Sequence, residues 1–139
     1  MPESPADPKI YTVEEANAML PVVQRALVLL RQQVTQILGQ EARVDALELL
    51  DGKPVATQST MVAQELTILE QRKTALQRTF EDFERLGCLL KDLDMGLVDF
   101  YTWMDGELVL LCWHEGEEHI RYWHTMEDGF PGRRHIPGA

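Results

Sequence analysis

Every histidine, tryptophan and cysteine of the chain lies at or beyond residue 88, so residues able to ligate or transfer protons are gathered in its last third. Three of the histidines, His114, His119 and His124, come in short order. His114-Glu-Gly-Glu-Glu-His119 resembles a zinc-protease helix only in composition. That motif needs its histidines four apart on one helix face. Here they are five apart around a glycine turn. A hairpin offers another geometry, in which His114 and His119 face each other across the turn and Asp99 or His124 completes a divalent-metal site. Zinc takes about three or four such ligands, and a catalytic site leaves one position open for water. Cys112 and His124 form a second ligand pair. The competing reading makes His114 and His119 exposed hairpin residues and His124 a hydrogen-bonded residue at a sheet edge.

Asp99 stands in the middle of an aromatic strand, where an acid must be exposed or paired. Arg121 or Arg133 could supply a charge-assisted bond, which makes Asp99, Arg121, His124 and Arg133 a candidate ion or ligand cluster. Asp92 and Asp94 read first as turn residues bonding nearby amides. With Asp99 they could also shift one another's proton affinity or hold Mg²⁺ or Ca²⁺. Trp103, Trp113 and Trp123, with Phe100, Tyr101 and Tyr122, either fill the core or line an apolar pocket. The common phosphate-binding, dinucleotide, nucleophile-elbow and zinc-ribbon motifs are absent.

Two helices and a sheet must position these groups. Thr12-Val-Glu-Glu15 is a capping box, and Ala16, Leu20, Val23, Leu27, Leu30, Val34 and Ile37 follow at alternating four- and three-residue spacing. That is one apolar stripe on a helix from about Thr12 to Leu50, with Pro21 inside it and a bend expected near Gly39. Asp51-Gly-Lys-Pro54 is a turn. Val62, Leu66, Leu69, Lys73, Leu76, Phe80 and Phe83 mark a second helix that stops at Leu86-Gly87. Lys73 on that stripe either snorkels to the edge, sets register, or binds a ligand. From Cys88 the pattern turns to strands at 97–103, 108–113 and 119–124, with a shorter run at 88–91. Asp105-Gly106 is a hairpin turn signal. The predicted fold is therefore α+β: a long antiparallel helical hairpin (12–87) followed by a three- to four-stranded antiparallel β-meander (88–128). It reads as one domain, with loose tails at 1–10 and 129–139. The tail around Arg133 could hook back over the sheet.

The 139 residues carry a net charge of -10 and a hydrophobic fraction of 45%, which suits one globular domain with its own core. The negative charge argues against nucleic acid and anionic membrane surfaces as partners. The first residues are polar and Pro-rich, with no leader-like apolar run, and two cysteines are too few for a disulfide framework. Both point to the cytoplasm.

The run Lys91-Asp-Leu-Asp-Met-Gly-Leu-Val-Asp-Phe100 is followed by Asp105-Gly106, Leu111-Cys-Trp113 and Gly116-Glu117. Then come Tyr122-Trp-His124, Gly129-Phe130 and Gly132-Arg133. With Thr12-Val-Glu-Glu-Ala-Asn17, this pattern resembles the prokaryotic family DUF2203 from Tyr11 to about Arg133. It departs at Thr125, where the resemblance implies an acid. The resemblance implies a bacterial or archaeal cytoplasmic protein and no particular activity. Three functions are weighed. The first is a non-enzymatic interaction or accessory protein, homodimeric through its helices and open to a protein partner. The alternative is a small metal-binding protein or metal-dependent enzyme with its site on the sheet. The third is a small-molecule binder using the tryptophans and Arg133.

Overall fold

The computed structural model describes residues 8–49 and 56–139, the side chains of 56–59 excepted. The predicted Asp51–Pro54 turn, Leu50 and residues 1–7 lie outside the described residues. The architecture is α+β: helix α1 (Val13–Leu49), helix α2 (Ala56–Arg85), and a sheet of strands β1 (Cys88–Asp92), β2 (Leu97–Met104), β3 (Glu107–His114), β4 (Tyr122–His124) and β5 (Arg134–His135). The strands lie in chain order and every neighbouring pair is antiparallel. Five strands form, one more than the upper expectation. The described residues divide into two compact units, 8–27 with 82–139, and 28–81 apart from the segment not described.

The start of α1 forms as its sequence dictates. Glu15 N–H donates to Thr12 Oγ1 at 3.1 Å and Thr12 N–H donates to Glu15 Oε1 at 3.0 Å, satisfying two amides that have no intrahelical partner. α2 ends where Gly87 adopts φ 84° and donates its N–H to the Glu84 carbonyl. A Cβ there would lie 2.6 Å from Lys9 Cβ, so the glycine also permits a close approach of the N-terminal segment.

In the unit of residues 28–81 the helices run antiparallel, since Gln33 reaches the Ala75 carbonyl while Gln40 reaches that of Glu65. Leu30, Ile37, Val44 and Leu69 are buried there. The seam on α2 departs from its apolar stripe. Leu66 and Phe80 are exposed, and Lys73 is exposed too. Glu65 turns inward instead, taking Gln40 Nε2 and an Arg43 Nε contact of 2.9 Å. The seam keeps Val62, Leu69, Leu76 and Phe83 of the stripe and takes Glu65 in place of Leu66.

In the other unit, Tyr11 donates its N–H to the Tyr101 carbonyl and sets its ring edge-on to Phe100. Asn17 Oδ1 accepts the Ile120 N–H at 2.7 Å. Ala16, Leu20, Val23 and Leu27 are buried in the same unit as Val98, Phe100, Leu111 and Trp113. β2 and β3 join through Asp105 (φ 51°) and Gly106 (φ 80°), the doubly left-handed turn that matches strand twist.

Two expectations are corrected. The last long strand, expected at 119–124, shortens to Tyr122–His124, because Ile120 spends its amide on Asn17 rather than on a ladder. The C-terminal tail is not loose. Phe130–Gly132 forms a 3₁₀ turn, and Arg134–His135 pairs with β4. Ile136 donates to the Arg121 carbonyl and is itself buried. An otherwise open sheet edge gains a ladder partner, and an apolar side chain anchors it.

Candidate functional site

Strand register decides which side chains meet. Asp99 on β2 lies opposite Cys112 on β3, and Leu110, two residues from Cys112, lies opposite His124 on β4. Residues two apart on a strand share a face, so Asp99, Cys112 and His124 all project from one side of the sheet. All three are buried, and one ligand atom from each lies within 4.8 Å of the other two.

The hydrogen bonds orient this group. His124 Nε2 is 2.9 Å from Asp99 Oδ2, and its Nδ1 is 2.7 Å from the Thr125 carbonyl oxygen. A carbonyl only accepts, so Nδ1 carries a proton and donates it. The proton between Nε2 and Oδ2 then makes this pair an imidazolium facing a carboxylate, or a neutral ring facing an acid. Burial alone would depress the imidazolium. The hydrogen bond to Asp99, the one to Thr125 and the charge of Asp99 outweigh it and raise the His124 pKa above its ordinary 6.5. The second carboxylate oxygen, Asp99 Oδ1, is buried without a hydrogen-bond partner. Burial, followed by the neighbouring Asp99 charge, pushes the Cys112 thiol up to about 12.

The three side chains line a cavity of about 140 Å³, whose other walls are Lys91, Leu97, Leu110, Met126, Gly129 and Phe130. Met126 to Phe130 belong to the tail segment that returns over the sheet. Thr125 Oγ1 accepts the Asp128 N–H at 3.0 Å and so caps the turn. A hydroxyl performs this task as a carboxylate would, so threonine suits the position. Arg133 holds the tail down. Its Nη2 donates to Glu117 Oε1 and Oε2 at 2.8 and 2.7 Å, and its guanidinium lies 4.0 Å from the Tyr122 ring centre and 4.9 Å from that of Phe130.

The structure thus brings together two of the residues read from the sequence, Asp99 and His124, with Cys112 as the third. Arg133 pairs with Glu117, not Asp99. Arg121 Nε lies 2.9 Å from His119 Nε2 at the surface. His114 stacks edge-on to Phe130. Among the described residues, Asp99, Cys112 and His124 are the one such ligand cluster, and neither His114 nor His119 is part of it. Asp92 Oδ1 accepts the Met95 N–H at 2.9 Å, the turn role expected of it. Trp113 is a core residue whose indole donates to the Glu117 carbonyl, whereas Trp103 is exposed.

The chain belongs to the family described as "Uncharacterized conserved protein (DUF2203)", whose profile matches residues 9–136. No curated protein and no solved structure gives a match. Among the described residues, no helix is long and apolar enough to cross a membrane.

Proposed function

We propose that this protein binds a divalent transition metal through Asp99, Cys112 and His124 and keeps one coordination position open to the cavity. The observation that carries the reading is the convergence of a carboxylate, a thiol and an imidazole within 4.8 Å. A tetrahedral zinc with bonds of about 2.0–2.3 Å separates its ligands by ~3.3–3.8 Å, within reach of these side chains. The Thr125 carbonyl fixes the outer nitrogen of His124, so that Nε2 is the one facing Asp99. Metal-ligating histidines have such an outer partner almost without exception. The unpartnered Asp99 Oδ1 gains a role if the carboxylate turns toward an ion. A mixed oxygen, nitrogen and sulfur set suits zinc better than magnesium or calcium. Three protein ligands and an open position match catalytic rather than structural zinc sites.

Cobalt(II) tests this directly, because a thiolate ligand gives the ion a near-ultraviolet charge-transfer band. The band is expected with wild-type protein at one ion per chain and lost with Cys112→Ser. A silent titration would remove the metal reading.

A second reading is supported by the helices. Val28, Leu29 and Leu38 on α1, and Leu66 and Phe80 on α2, are exposed apolar side chains of one unit. We infer self-association of two copies through these faces in a prokaryotic cytoplasm. Sedimentation equilibrium of wild type against Leu38→Glu tests it. A monomer mass for the wild type would refute it.

A further inference from the structure

β1 is not regular where it passes the cavity. Leu90 pairs with Val98 and Asp92 with Leu97, which leaves Lys91 as the extra residue of a bulge. Bulges re-aim single side chains and recur beside active sites. This one puts Lys91 on the wall of the cavity that Asp99, Cys112 and His124 also line. Its ammonium makes no ion pair among the described residues. The remaining wall, Leu97, Leu110, Met126 and Phe130, is apolar.

Charge and size define the ligand. A divalent ion held by the Asp99 carboxylate and the Cys112 thiolate is a neutral centre, and His124 adds no charge when it ligates. Lys91 then supplies one positive charge to the cavity, whose complement is a monoanion. At about 140 Å³ the cavity is well below the roughly 300–1,000 Å³ of pockets for drug-sized ligands. A phosphate dianion is better served by an arginine fork or a nest of amides, and no arginine lines this cavity.

We infer that the cavity takes a small monocarboxylate with a short apolar body, its carboxylate held between the Lys91 ammonium and the open metal position, and its body against Leu97, Leu110, Met126 and Phe130. This rests on the metal reading above. It makes Lys91 the residue that selects the substrate or ligand class.

The test is titration of cobalt(II)-loaded protein with propionate and with inorganic phosphate, followed in the visible ligand-field bands. Propionate is expected to perturb the bands in wild type and to bind about tenfold more weakly to Lys91→Gln, the scale of one lost charge contact. Lys91→Arg retains binding. Lys91 is exposed, so neither change threatens the fold. A thiolate band without any response to propionate overturns this inference and leaves the metal site standing, as does equal affinity in Lys91→Gln. Tighter binding of phosphate than of propionate overturns the ligand class. Absence of the thiolate band overturns both readings.

Discussion

Removing His124 isolates a buried carboxylate, and the cost follows from the geometry. The Asp99 side chain is 2% exposed, and its Oδ1 has no partner even with His124 present. In His124→Ala, Oδ2 loses its imidazole partner too, and the weak thiol donor of Cys112 is what remains beside the carboxylate. Leaving one member of a buried ion pair unpaired costs about 3–5 kcal/mol. A domain's whole stability is roughly 5–15 kcal/mol, so the variant sits near the edge of folding. Asp99→Ala also orphans its partner, but His124 can shed its proton and keep its bond to Thr125, so that variant costs less. The double variant has no charge to strand and must be more stable than the sum of the single losses predicts, by about 1–3 kcal/mol. The assay is urea unfolding followed by tryptophan fluorescence, with chelator present so that metal plays no part. A loss below ~1 kcal/mol for His124→Ala, or additivity of the two single effects, would refute the argument that a buried charge pair lies at the centre of this sheet.

Other expectations follow from the same contacts. Because the folded-state pKa of His124 is raised above 6.5, the pair's contribution to stability is full below pH 6.5 and is lost as pH rises through the folded value. Chelated wild type should therefore lose urea resistance over that interval while Asp99→Asn does not, and parallel pH profiles would contradict this. Metal affinity should move the opposite way, rising with pH as protons leave His124 and the Cys112 thiol; zinc titrations at pH 6 and 8 that gave equal affinity would count against those ligands. Arg133→Ala should cost about 1.5–3 kcal/mol through the lost Glu117 pair. It should also speed tryptic cleavage at Arg134, whereas unchanged proteolysis would mean the tail is held by other contacts. Gly87→Ala should cost more than ~1 kcal/mol, since φ is +84° and the new Cβ meets Lys9; a neutral result by thermal melting would show that the turn rearranges freely.

What the sequence disclosed was local. The capping box at Thr12 and Glu15, the Asp105-Gly106 turn and the Gly87 stop depend on residues within a few positions of one another, and each formed where it was read. Non-local partners were legible only in outline: Asp99 and His124 were grouped and the tail was expected to hook back, but the contacts that do this were not. β5 is two residues long and exists because β4 lies beside it, which no hydrophobic alternation announces. The α2 seam kept Val62, Leu69, Leu76 and Phe83 of the apolar spacing, but at Leu66 the Gln40–Glu65 and Arg43–Glu65 pairs put the neighbouring acid inward instead. Asp99 was recognised as an acid that needs a partner. That partner was sought in Arg121 or Arg133, and the register of three strands supplied His124 instead. The Cys112–His124 pair was visible as two ligand types, but its convergence with Asp99 depends on strand order, which spacing along the chain does not encode.

Native mass spectrometry of protein purified without chelator and titrated with zinc measures whether Asp99, Cys112 and His124 make a one-ion site. One tightly held zinc per chain is expected, lost in Asp99→Asn and Cys112→Ser and retained in His114→Ala and His119→Ala. No zinc on the wild-type protein, or unchanged zinc in the Cys112 and Asp99 variants, would mean that these three side chains do not form a metal site.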